Sequence, residues 1–200
     1  ILAGIGIDAM KTGMLGSAEL VELVARTIDR FQLKNVVIDP VMVCKGIDTI
    51  MVPDAAAAIK QLLIQRADVI TPNTLEAAYL AGMPQVKTLD EIKEAAGRIK
   101  ELGAKYVVIK GGERMENDEA IDVLYDGKEF TEMAEKKIYP SYNHGAGCTY
   151  SAAITAGLAN GLSVPEAVFQ AKKFITAALR HSFVLNQYSG CTNHTAFRRY

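Results

Sequence analysis

Three short runs constrain the fold more than any other feature of this chain. NVVIDP (Asn35 to Pro40), DVITP (Asp68 to Pro72) and KYVVIK (Lys105 to Lys110) are brief, β-branched and almost wholly apolar. A strand with one wet face alternates polar and apolar residues, whereas a strand covered on both faces is apolar throughout, so these runs predict central parallel strands. Amphipathic stretches separate them. Ser17 to Phe31 carries Leu20, Leu23, Val24, Ile28 and Phe31 at helical spacing, and Pro53 to Leu63 starts with proline in its first turn. Thr88 to Leu102 opens on a Thr88-x-x-Glu91 capping box and stops at Gly103. In Ala120 to Phe130 the pair Asp126-Gly127 lies between two short strand patterns, which predicts a hairpin and an antiparallel edge to the sheet. Two helices follow, one over about Gly147 to Ala159 and one from a Ser163-x-x-Glu166 box, with Pro165 in its first turn, to about Leu179. The expectation is an α/β fold: a mostly parallel sheet with helices on both faces.

Two hundred residues, half of them hydrophobic and with no linker or repeat, suffice for one core, so residues 1-200 read as a single domain. The formal net charge of -1 and the lack of a Lys/Arg block argue against a nucleic-acid partner, which calls for a basic stripe. No apolar run reaches membrane-spanning length, and ILAGIGIDAM has neither a charged start nor a cleavage site, so the reading is a cytoplasmic protein. Cys44, Cys148 and Cys191 are odd in number and far apart, which argues for free thiols; Cys191-x-x-His194 is a single half-site and not a zinc centre.

In an open parallel sheet, ligands bind in the crevice beyond the carboxyl ends of the strands. There the sequence places Asp39-Pro40, Thr71-Pro72-Asn73 with Glu76, and Lys110-Gly111-Gly112, joined by the Gly-rich turn of NHGAGCTYSAA (Asn143 to Ala153). Helix amino termini attract anions through unpaired N–H groups and the helix dipole, and Gly145 and Gly147 let a phosphate approach the backbone. Magnesium keeps several waters and needs only one or two carboxylates, which Asn73 and Glu76 can supply largely through water. Each assignment has a structural alternative. Asp39-Pro40 can simply end a strand, Asn73 and Glu76 can form a capping box, and Lys110 can be a solvated residue at a turn.

DAMKTGML (Asp8 to Leu15), VVIDPVMVCKG (Val36 to Gly46), VITPNTLEA (Val69 to Ala77), VVIKGG (Val107 to Gly112) and HGAGCTYSAAI (His144 to Ile154) occur in this order. Together they resemble the vitamin-kinase branch of the ribokinase superfamily, in particular pyridoxal kinases of the hydroxymethylpyrimidine phosphate kinase-like type. The resemblance implies a three-layer ribokinase-like sandwich and ATP- and magnesium-dependent phosphorylation of the hydroxymethyl group of pyridoxal, pyridoxine or pyridoxamine. The alternatives are a hydroxymethylpyrimidine (phosphate) kinase of thiamine synthesis and a noncatalytic ligand-binding fragment. Cys44 and Ala146 stand where the pyrimidine kinases usually have alanine and threonine, which favours the pyridoxal reading. The resemblance further implies an anion hole at Gly145, Ala146, Gly147 and Cys148, magnesium organised by Asn73 and Glu76, and ATP contacts from Lys110, Gly112 and Asn73. It puts Gly13, Met14, Asp39 and Cys44 on the substrate side, and relatives are often homodimers. Family members begin with a strand and a Gly/Ser/Asp-rich segment; this chain opens at Ile1, shortly before DAMKTGML, so the expectation is that it lacks that segment and starts inside a longer gene product.

Cys148 occupies a position where the wider superfamily usually has an aspartate acting as base. A thiolate at a helix amino terminus is stabilised by the same N–H groups that hold phosphate. Two uses follow, as the base for the substrate hydroxyl or as a nucleophile adding reversibly to the pyridoxal aldehyde, with an inert buried cysteine as the structural alternative.

Overall fold

The computed structural model describes residues 2–43, 49–112, 115, 118–139, 142–187 and 189–199. A six-stranded sheet in the order β1 to β6 organises the chain. Its parallel strands are β1 (Met10–Thr12), β2 (Val36–Ile38), β3 (Val69–Ile70) and β4 (Tyr106–Lys110). Antiparallel β5 (Glu119–Tyr125) and β6 (Phe130–Lys136) complete it. The hairpin turn falls at Asp126-Gly127, where Asp126 Oδ1 accepts from the amides of Lys128 and Glu129, both at 2.7 Å.

Strand alternation divides the core into two layers, as expected for side chains of period two. Val36, Ile38, Ile70, Val107, Ile109, Ile121 and Val123 face one side. There they pack against α1 (Ala18–Phe31), α2 (Pro53–Ala58), α3 (Thr74–Ala81) and α4 (Leu89–Glu101). Val37, Val69, Val108 and Leu124 face the other, against α5 (Ala146–Ala159) and α6 (Val164–Arg180). The result is a three-layer α/β sandwich, matching the fold class read from the sequence. Among the described residues, no helix is long and apolar enough to cross a membrane.

The helix starts follow their local signals. Ser17 Oγ accepts from Leu20 N at 3.3 Å, and Thr88 and Glu91 form a reciprocal capping box. Two regions differ from the sequence reading. The helix expected over Pro53 to Leu63 is α-helical only to Ala58; it widens into a π turn over Ile59–Leu63 and tightens into a 3₁₀ turn at Ile64–Arg66. Ile59, Leu63 and Ile64 are all buried, and the wider turn brings residues four and five apart onto one face. The chain also does not close on two helices: a small hairpin, β7 (Phe183–Asn186) with β8 (Ser189–Cys191), and a short α7 (Ala196–Arg199) follow α6.

Candidate active site

The carboxyl ends of β1 to β4 and the amino terminus of α5 meet around the Asp39 carboxylate. Asp39 is buried, at 1% exposure, yet side chains from β1, β4, α5 and the residue after β3 reach it. Its Oδ1 accepts from Lys110 Nζ at 3.0 Å and from Thr71 Oγ1 at 3.3 Å. Its Oδ2 accepts from Ser151 Oγ at 2.9 Å, and Lys11 Nζ lies 3.9 Å away. A carboxylate removed from water must be compensated by charge and hydrogen bonds, and two lysines with two hydroxyls do so here. Asp39, expected on the substrate side, is the counter-ion that the two lysines share. Asp39→Asn keeps the shape and removes the charge, so it is expected to lower the unfolding free energy by about 1–3 kcal/mol, measured by urea denaturation. A loss below about 0.5 kcal/mol, the range of an ordinary surface substitution, would reject this counter-ion role.

Lys110 ends β4, and its amide donates to Pro72 O at 2.9 Å, so the Asn73 and Lys110 segments run side by side. Burial pulls its ammonium toward neutrality, but Asp39 and Glu76 outweigh it and hold the pKa above the usual lysine value. Lys110 is therefore a fixed cation. It points at the α5 turn: a Cβ added to Gly147 would lie 3.3 Å from Lys110 Nζ. Gly145 takes the left-handed conformation at φ 81°, which favours glycine, and caps α5 with no side-chain hydrogen bond. Ala146 N, the first amide of α5, donates to Asn143 O at 3.0 Å, so the amides of the first turn that face the lysine are those that follow it, at Gly147 and Cys148. Ala146 and Gly147 are partly buried, while Cys148 is exposed and free. Its side chain lines one end of a cavity of about 740 Å³ between α5 and α6.

Asn73 and Glu76 make the reciprocal capping box. Glu76 is buried, with Oε2 accepting from Asn73 N at 2.8 Å and Oε1 from Met42 N at 3.2 Å. Burial raises its pKa against the opposing influence of Lys110. With Glu76 only 2% exposed and an amide on each of its oxygens, this pair suits a magnesium ion approached through water better than one bound directly. Gly112 takes φ 57° after Lys110. Gly13 lies beside Lys11, 3.5 Å from its Nζ to an added Cβ, and Met14 is exposed. Cys44 lies outside the described residues.

Several participants carried little signal in the sequence. Ser151 is one helical turn beyond Cys148 and is fully buried; a serine inside the apolar run YSAAI was the available clue. The turn before α5 is also held from the far end of the chain: His144 N donates to Gly190 O at 3.3 Å. His194 Nε2 lies 3.0 Å from Thr149 Oγ1 and 3.2 Å from Thr192 Oγ1.

A three-layer α/β sandwich with a lysine-flanked helix amino terminus at the carboxyl edge of its sheet offers a place for an anion such as a phosphate. The family model for phosphomethylpyrimidine kinase matches residues 1–193, and the chain belongs to that family. It is 54% identical over 198 residues to the pyridoxine kinase of Bacillus subtilis (strain 168), a match covering 99% of this chain and 73% of that protein. To the hydroxymethylpyrimidine/phosphomethylpyrimidine kinase of the same organism it is 41% identical over 192 residues, covering 96% and 70%. Among solved structures it matches an ADP complex of Bacillus subtilis pyridoxal kinase with a TM-score of 0.96 at 54% identity, covering 100% of this chain and 75% of that one. The pyridoxal kinase from Staphylococcus aureus in complex with AMP-PCP and pyridoxal matches at 0.90 and 38%, covering 96% and 69%.

Proposed function

We propose that this chain is the kinase domain of an enzyme that transfers the γ-phosphoryl group of ATP to the hydroxymethyl group of a vitamin B6 vitamer. The observation that carries the reading is the convergence of Lys110, ending β4, on Gly147 in the first turn of α5, with both elements tied to Asp39. The relatives with the higher identity are pyridoxine and pyridoxal kinases, which favours a B6 vitamer over a hydroxymethylpyrimidine.

Phosphoryl transfer needs positioning and positive field more than covalent help from the protein. Lys110, kept charged by Asp39, offers that field on one side of the transferring group. The amides opening α5 offer it on the other, and Gly145 and Gly147 leave the backbone bare for them to do so. Magnesium bound with the nucleotide would supply further neutralisation of the phosphates, and Asn73 and Glu76 would hold it through water. Cys148, exposed at the same turn, accepts the proton of the substrate hydroxyl. Lys110, Gly112 and Asn73 form the ATP side, and Gly13, Met14 and Cys44 the substrate side. Assembly as a homodimer in the cytoplasm belongs to the same reading, and sedimentation velocity tests the dimer.

A coupled ADP-release assay with pyridoxal, pyridoxine, pyridoxamine and hydroxymethylpyrimidine tests the function. Higher kcat/KM for the B6 vitamers is expected; a preference for the pyrimidine would transfer the assignment to thiamine synthesis, and no turnover of any would leave a binding protein.

Glu76→Gln tests the metal role. Replacing one oxygen by an amide group turns it against an N–H donor, so a moderate stability loss of about 1–3 kcal/mol is expected from the capping box alone. If Glu76 also organises magnesium, the variant will need more magnesium for half-maximal rate than wild type. Magnesium titrations of turnover, with a melting curve beside each, separate the two; an unshifted magnesium dependence leaves only the cap.

A further inference from the structure

Asp122 on β5 and Lys172 on α6 form a buried ion pair at 2.8 Å, with side chains 7% and 8% exposed. It lies behind the site and has no part in the roles given so far. Lys172 Nζ also donates to Ala120 O at 2.8 Å. The second oxygen of Asp122 accepts from Gly111 N at 3.1 Å, an amide that it shares with Ile121 O, also at 3.1 Å. Gly111 follows Lys110 and sits so close to β5 that an added Cβ would be 2.1 Å from Ile121 O. Tyr150 of α5, two residues after Cys148, is buried near the same carboxylate, which helps to push its hydroxyl well above the usual tyrosine value after burial itself.

The register gives the pair its consequence. Asp122 is the direct antiparallel partner of Lys110. Opposed residues share a sheet face, and opposite charges placed so attract. Yet Lys110 reaches across to Asp39, while Asp122 is occupied by Lys172. We propose that Lys172 and Asp122 are a positioning pair: Lys172 neutralises Asp122, which leaves Lys110 aimed at Asp39 and Gly147, and Asp122 anchors the Gly111 turn that carries it. The proposal rests on the reading of Lys110 as a nucleotide contact. Without Lys172, the Asp122 carboxylate competes for the Lys110 ammonium and draws it off the phosphate position.

The test measures ADP affinity by calorimetry and steady-state constants for ATP and pyridoxal in the whole protein. Lys172→Met is expected to weaken ADP binding and raise the KM for ATP about tenfold, with the KM for pyridoxal unchanged. Adding Asp122→Asn, which removes the competing charge but keeps an acceptor for Gly111, is expected to restore both nucleotide constants to within about threefold, a coupling of the kind double-variant cycles detect. A pair that only supported folding would lower the melting temperature without this selective, reversible loss, and that result overturns the proposal. Lys110→Met serves as the reference. Unchanged ADP affinity in it removes the nucleotide reading of Lys110 and the positioning role with it. Weakened affinity there beside unchanged affinity in Lys172→Met removes the positioning role alone. Hydrogen exchange of the Gly111 amide tests the anchoring: slow exchange is expected in the wild type, where Asp122 and Ile121 O share the amide, and faster exchange in Asp122→Ala, where Ile121 O alone remains; open-loop exchange in the wild type, or equal exchange in the two, overturns the anchoring by Asp122.

Discussion

Gly147→Val is expected to abolish phosphoryl transfer in a protein that still folds. Gly147 lies in the first turn of α5 with ordinary helical geometry, and valine costs no more helix propensity than the glycine it replaces. The first atom of the new side chain would stand 3.3 Å from Lys110 Nζ, the mobile end of a long side chain, so the fold can yield there. The site cannot. The two methyl groups beyond that atom fill the space between the lysine and the α5 amides, where a phosphoryl group must sit. Losing a single preorganised donor costs about a hundredfold to a thousandfold in turnover, and blocking the approach to several costs at least the upper figure. A coupled assay beside a melting curve checks the result, with Gly147→Ala as an intermediate case. Retained turnover in a folded Gly147→Val protein would remove the anion-hole assignment.

Cys148→Ala is expected to slow transfer by about a hundredfold to ten-thousandfold, the range for losing acid–base help. The pattern across substrates identifies the role. Pyridoxal and pyridoxine present the same hydroxyl, so loss of a base slows both alike. A thiol that adds to the aldehyde acts on pyridoxal alone, because pyridoxine has no carbonyl, and mixing wild-type protein with pyridoxal would then change the absorbance in a way the variant does not reproduce. The thiol is exposed, outside any disulfide and among the residues lining a cavity, so it is accessible for either use. The base role is expected to be the larger, with Cys148→Asp recovering part of the rate because a carboxylate can accept the same proton. Undiminished turnover of both vitamers by Cys148→Ala would return the residue to a structural part.

The site was legible in the sequence in its parts. Asp39, Asn73, Glu76, Lys110 and the glycines before Cys148 could each be placed at a strand end or helix start, because a parallel sheet sends its strand ends to one edge. Their division of labour could not. Glu76 reads equally as a metal organiser and as a cap, and the structure shows the cap made, with a further bond to Met42 that no local pattern announced. Asp39 reads as a substrate contact, and nothing local announced the two lysines and Ser151 that converge on it.

What the sequence by itself determined is local or periodic. The Ser17, Asn73 and Thr88 caps satisfy amides within three residues, the β-branched runs follow from burial on both faces, and the Asp126-Gly127 turn is set by its own side chain and backbone. Only the tertiary structure decided the bonds between distant segments. Lys110 meets Asp39 across 71 residues and Ser151 meets it across 112, while Gly190 holds the turn at His144. Besides Glu76, Lys110 had Asp122 across the strand and Asp39 across the sheet as carboxylates within its compass, and α6 brings Lys172 to Asp122. Such choices depend on strand register and on which helix covers which face, and pairing rules that act over a few residues carry no information about either.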